Sequence, residues 1–131
     1  MDRLFIRLGA VAGFVGVALG AFGAHALRAR LSADHLAVFE TGVRYHLVHA
    51  LALVLVGVLI NLAPPVHGAG RRPARLTTAA GWFFTVGIVL FSGSLYVLSI
   101  TGTTAVGVVT PLGGLCFLAG WACLALAEVR V

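Results

Sequence analysis

The chain has 131 residues, of which 60% are hydrophobic and 10% charged. Soluble domains carry roughly a quarter charged residues, so this composition excludes a water-facing surface over most of the molecule. The net charge of +5 rests on nine arginines and no lysine. They cluster between apolar runs, as topology signals do, and not on one face as nucleic-acid contacts would.

The apolar runs are Leu4 to Leu27, Tyr45 to Ala63, Leu76 to Ile100 and Ala105 to Ala127. Each is about twenty residues long, the length that crosses a roughly 30 Å hydrocarbon core. Lipid offers no partner to an unpaired backbone group, so each run is expected to be helical. The fold class is therefore all-α: an integral membrane four-helix bundle forming a single membrane domain over residues 1–131.

The first run contains Arg7 near its start and His25 near its end. With Arg3, Arg7 and the small-x-small triplet Ala24-His25-Ala26 it can also be read as a cleavable signal. Its glycines favour a permanent span. Gly9, Gly13, Gly16, Gly20 and Gly23 are spaced four, three, four and three residues apart, which places all five on one helix face. Small residues on one face let helix backbones approach closely in a membrane.

Between runs one and two, Ser32 is suited to cap a helix. Leu36, Phe39 and Val43 then recur at helical spacing, with Asp34, Glu40 and Arg44 polar. This segment is expected to be an amphipathic helix in the interface, or else an extension of the second span. Glu40 and Arg44 stand in the favourable i,i+4 order. The stretch from Pro64 to Arg75 holds Pro64, Pro65, Gly68, Gly70 and Pro73, and reads as a solvated loop that includes His67.

In the fourth run Gly113, Cys116, Gly120, Cys123 and Ala127 repeat the small-residue spacing. Cys116 and Cys123 lie seven residues apart, about 10 Å along a helix, too far for a disulfide between them. Packing is their expected role, with a metal or redox role as the alternative. Thr110-Pro111 suggests that the fourth helix starts at Pro111 with Thr110 as its cap. Residues 103–109 would then be non-helical chain dipping into the bundle. The competing reading is a kink in a continuous helix.

Arginine counts set the orientation. Arg3, Arg7, Arg71, Arg72, Arg75 and Arg130 fall on the side of the termini, and Arg28, Arg30 and Arg44 on the other. Positive-inside bias places both termini in the cytoplasm. His25, Glu40, Arg44, Tyr45, His49, Ser92, Tyr96 and Thr110 then collect toward the outer half, joined by His46, Ser94 and Ser99. Interhelical hydrogen bonding explains such a layer, and so does an outward-facing site for a solute, an ion or a lipid. His46 and His49, at i,i+3, could ligate a metal or a haem iron with Glu40 or His25. Two histidines at helical spacing do not complete a ligand set, so no metal site and no cofactor are assigned.

Four stretches in this order resemble the YgdD-like family: Gly20-Ala21-Phe22-Gly23-Ala24-His25, residues 39–52 beginning Phe39-Glu40-Thr41-Gly42, Phe91-Ser92-Gly93-Ser94-Leu95-Tyr96, and Thr110-Pro111-Leu112-Gly113-Gly114 running on to Gly120-Trp121. The eukaryotic relative of that family is called transmembrane protein 256. The resemblance spans nearly the whole chain. It implies a small multi-span membrane protein without an established activity, so it carries over no catalytic residue. The family's arginine-tyrosine-x-x-x-histidine pattern is matched by Arg44, Tyr45 and His49, while the position of His46 is often another polar residue. Functional weight moves toward His49 accordingly.

No nucleophile–base pair or metal motif is present, and an enzyme is not expected. The expected partners are the lipid bilayer and a homo-oligomer or larger membrane complex, with no nucleic acid. The leading expectation is a structural or interaction protein of the inner membrane working through its glycine faces, with Gly9, Gly13, Gly16, Gly20, Gly23, Gly113 and Gly120 as packing residues. The alternatives are binding or transport at the polar layer, and a haem- or metal-binding protein.

Overall fold

The structure is a computed structural model that describes residues 3–63 and 71–127, with the backbone alone for 71–74. His67, the loop breakers from Pro64 to Gly70, and Arg130 lie outside the described residues. The described residues form helices α1 (Leu4–Phe22), α2 (Ala33–Leu62), α3 (Arg71–Gly87), α4 (Gly93–Thr101) and α5 (Val109–Leu126), and no strand. Helix α1 runs on into a π-helical turn, Gly23–Leu27, and a second π-helical turn, Ile88–Ser92, joins α3 to α4. Counted as continuous rods, four helices are long and apolar enough to cross a membrane.

Helix α2 starts where its sequence allows. The Ser32 hydroxyl accepts the His35 N–H at 3.2 Å and satisfies one of the donors a helix leaves open at its N-terminus. From there it runs 30 residues without a break. The segment that the sequence also allowed as a separate interfacial helix is therefore the first part of α2. At 1.5 Å per residue α2 is about 45 Å long, more than the hydrocarbon core requires. Asp34, Glu40 and Arg44 all precede Tyr45, and no charged residue follows before Leu62.

Two boundaries differ from expectation for related reasons. Helix α3 begins at Arg71, with Pro73 in its first turn, so helix replaces the expected loop up to Arg75. Helix α5 begins at Val109, after a 3-10 turn at Thr104–Val108, so residues 103–109 are not an irregular dip and Thr110 is not the cap. Proline needs no N–H in a first turn, where that N–H would have no helical partner, so neither proline has to mark the first helical residue. The turn before α5 depends on Gly102, whose φ of 69° is the left-handed conformation that closes α4, with its N–H on the Leu98 carbonyl at 2.8 Å.

Helices α1 and α2 pack antiparallel in one register. Gly23 lies against Phe39, Gly20 against Val43, Gly16 against Leu47, and Gly9 against Ala50 and Val54. A Cβ on Gly9 would stand 2.7 Å from the Ala50 carbonyl oxygen and 2.8 Å from the Val54 nitrogen. Backbone cannot yield as a flexible side chain can. Gly13, expected on the same contact, has nothing within 4 Å of such an atom. It is the one glycine of the stripe beside which no described residue fills the space of a side chain.

Helix α5 uses the same device on the other side. Gly120 receives the ring of Phe84, and Gly113 lies against the backbone of Phe91 in the π-helical turn. The core joins Phe5, Leu53, Val56, Phe84, Ile88 and Phe117, with Cys123 packed against it. Both cysteines are free and half-buried, as packing residues are. Helix association in lipid gains no hydrophobic driving force, so stability comes from this close contact.

Gly9→Ala is expected to destabilise the protein by about 1–3 kcal/mol, the usual cost of overpacking. Gly13→Ala should be near neutral. Unfolding of the two variants in detergent micelles checks this contrast, and equal stabilities would contradict the register.

Candidate functional site

Helical spacing carries His46 and His49 to different neighbours. His49 is buried and both of its ring nitrogens are used. Nδ1–H donates to the Tyr45 carbonyl at 2.7 Å, and Nε2 accepts the Trp121 indole N–H at 3.1 Å. A carbonyl only accepts and an indole only donates, so the network assigns the neutral Nδ1–H tautomer. The ring stacks on Phe117, with centroids 3.5 Å apart and planes 8° from parallel, and Phe84 lies at 5.4 Å. An iron or zinc ion at Nε2 would have to displace Trp121.

His46 turns toward α1 and α4. Its Nδ1 is 3.0 Å from the Tyr96 hydroxyl, and the edge of its ring lies beside Gly16 of α1. The Tyr96 ring rests on Phe39 with centroids 4.9 Å apart. Gly42 makes room for it, since a Cβ there would lie 2.9 Å from Tyr96.

The remaining serines and threonines split off again. Ser94 donates to the Phe91 carbonyl at 2.9 Å and pairs with Thr110 Oγ1 at 2.7 Å. Ser99 donates to the Tyr96 carbonyl at 3.0 Å. Ser92 is fully buried, and its Oγ has no hydrogen-bond partner among the described residues. The single polar layer of the sequence reading is thus several separate pairings. Tyr45 stays beside His49, but Tyr96 belongs to His46 and Thr110 to Ser94. The physical reason is helix geometry: a step of three residues turns a side chain by about 300°, some 60° short of a full turn, enough to aim it at a different helix.

His25, Glu40 and Arg44 are exposed. Glu40 and Arg44 line an open recess of about 290 Å³ together with Gly20, Gly23, Ala24, Phe39 and Val43. His25 is not part of its lining. The recess lies where the α1 glycines meet the first half of α2, at the end of the bundle remote from the termini. Its wall is small because Gly20, Gly23 and Ala24 are small, and its two charges have opposite sign. Among the described residues no group of three or more His, Cys, Asp or Glu side chains is placed to hold a metal ion.

Sequence reasoning assigned no role to Trp121, Phe84 or Phe117. A signal existed for Trp121, since an indole N–H inside an apolar span needs an acceptor. Nothing in the spacing says which acceptor that is.

These features define a polytopic α-helical membrane protein whose intramembrane polar groups are largely paired within the chain. The family model described as "Protein of unknown function (DUF423)" matches residues 19–114, and the chain belongs to that family. It is 44% identical to the UPF0382 membrane protein YwdK of Bacillus subtilis over 128 residues, which cover 98% of each chain. It is 40% identical to the UPF0382 membrane protein SH2409 of Staphylococcus haemolyticus, over 98% of this chain and 97% of the relative. It is 36% identical to the UPF0382 inner membrane protein YgdD of Escherichia coli K12, over 99% of this chain and 92% of the relative. No solved structure matches the chain. The resemblance carried by the four sequence motifs and these similarities agree on the family.

Replacing Trp121 by Phe keeps the ring and removes the donor to His49. A double-mutant cycle on Trp121→Phe and His49→Ala should give a coupling of about 0.6–1.7 kcal/mol, the range of hydrogen bonds inside membranes. Additive effects of the two substitutions would contradict the clasp.

Proposed function

We propose that this is a non-catalytic binding protein of the inner membrane, and that its ligand-binding site is the recess lined by Glu40 and Arg44. The observation that carries the reading is the contrast among its polar groups. His46, His49, Ser94, Tyr96 and Thr110 are engaged inside the chain. Glu40 and Arg44 instead face an open concavity with small walls. Convergent polar groups in an apolar wall are what ligand sites are made of. Charges this near the hydrocarbon are costly and call for partners.

Interaction with other chains through the glycine faces is less well supported. Gly9, Gly16, Gly20, Gly23, Gly113 and Gly120 all meet neighbours in their own chain. Haem or metal binding is also disfavoured, because both nitrogens of His49 are already committed. Both termini lie in the cytoplasm on this reading, by the bias of the arginines, and the recess opens at the outer surface.

Two measurements test it. In a variant without native cysteines, Arg30→Cys should react with an impermeant maleimide added to intact cells, and Arg72→Cys should not. The reverse pattern would overturn the orientation. Solvent extracts of purified wild-type protein should contain a stoichiometric small molecule or lipid that the Glu40→Gln/Arg44→Gln double variant lacks. Identical extracts from both proteins would remove the recess as a binding site.

A further inference from the structure

Beyond the recess, α1 and α2 carry small and exposed apolar residues on one side. On α1, Ala24, Gly20, Val17 and Gly13 follow one another at helical spacing, so they form one side of the helix. Val17 is 63% exposed, and the space beside Gly13 is open. On α2, Leu51 lies two turns beyond Arg44 on the same side and is 72% exposed. Since Gly20 meets Val43 and Gly16 meets Leu47, the opening at Gly13 falls beside the turn that carries Leu51. Placed in this order, Gly13, Val17 and Leu51 make an apolar furrow beside the charged recess, on the side of it toward the middle of the helices.

We propose that the recess and furrow together hold one phospholipid with a primary-amine headgroup, its phosphate on Arg44, its ammonium on Glu40 and an acyl chain past Gly13 against Val17 and Leu51. The inference rests on the reading of the recess as a binding site and names its ligand class. A guanidinium forms charge-assisted, bidentate hydrogen bonds to phosphate oxygens, and a carboxylate accepts N–H donors. Side chains at i,i+4 begin about 5–6 Å apart, so Arg44 and Glu40 can reach adjacent phosphate and ammonium groups at once. An anionic lipid without an amine would bring only neutral hydroxyl donors to the Glu40 carboxylate, with no positive charge to balance it. A quaternary ammonium would bring charge but no N–H. The depth also agrees: Arg44 is the last charged residue before the apolar stretch from Tyr45 to Leu62, which is where phosphates lie relative to hydrocarbon.

Gly13 is then explained by what it admits. Each other glycine of the stripe admits part of the chain's own α2, whereas Gly13 leaves space that no described residue fills.

Native mass spectrometry of the purified full chain in detergent doped with a defined lipid tests the proposal. Wild-type protein is expected to retain phosphatidylethanolamine about tenfold better than phosphatidylglycerol or phosphatidylcholine, the effect of one charge-assisted hydrogen bond. Glu40→Gln should abolish that preference, and Arg44→Gln should lower retention of all three lipids. Gly13→Leu should lower retention of phosphatidylethanolamine by about tenfold with both charges intact. Circular dichroism establishes that each variant is folded. Equal retention of the three lipids by wild-type protein, or no effect of Gly13→Leu, would overturn the proposal. The water-soluble headgroup glycerophosphoethanolamine separates the two readings. Should it displace the lipid at similar concentration, the recess is a solute site and the lipid assignment fails alone. Should Glu40→Gln/Arg44→Gln retain each lipid as wild-type protein does, the recess itself fails.

Discussion

Hydrocarbon supplies neither a hydrogen-bond partner nor a hydrophobic force between helices, and the structure is organised around both deficits. The missing force is replaced by contact. Gly9 brings the backbones of α1 and α2 together, and Gly113 does the same for α5 against the π-helical turn before α4. The missing partners are replaced from within. The Trp121 indole finds His49, the Tyr96 hydroxyl finds His46, and Ser94 finds Thr110. Each pairing joins two different helices, so the same bonds that avoid unsatisfied groups also fix how the helices are turned.

The π-helical turn at Ile88–Ser92 fits this scheme. The Gly93 N–H reaches back to the Ile88 carbonyl, one residue further than in an α-helix, which gives the rod an extra residue in that turn. The side chains after it are rotated relative to those before it. Phe84 therefore faces His49 and Gly120 from below the turn, while Tyr96 faces His46 and Gly42 from above it. One continuous span serves two separate polar pairings.

Much of the fold could be read from the residues. Run lengths located four spans, Ser32 identified the start of α2, and glycine spacing identified the face of α1 that meets its neighbour. Gly13 was missed because spacing defines a face but not its edges, and Gly13 lies toward the edge of the α1–α2 contact. The continuity of α2 could not be read either, since an amphipathic stretch before an apolar one looks the same whether or not the helix bends between them. The polar residues were found, and so was their general concentration. Their partners were not, because a pairing such as His49 with Trp121 spans 72 residues and depends on how α5 is rotated. Glu40 and Arg44 were legible as a charged pair near the membrane boundary. The recess that gives them significance depends on the small side chains of a different helix.

The central claim is that the intramembrane histidines are structural clasps within the chain, which leaves the recess at Glu40 and Arg44 as the place for an external ligand. Solid-state NMR of the histidine ring nitrogens, with the protein labelled with ¹⁵N-histidine and held in lipid bilayers, tests this claim most directly. The account predicts neutral rings at both positions, with Nδ1–H at His49 and its Nε2 accepting from an indole N–H. An Nε2–H signal at His49, or a charged ring at either position, would be incompatible with the pairings and would return both histidines to the list of candidate ligand-binding groups.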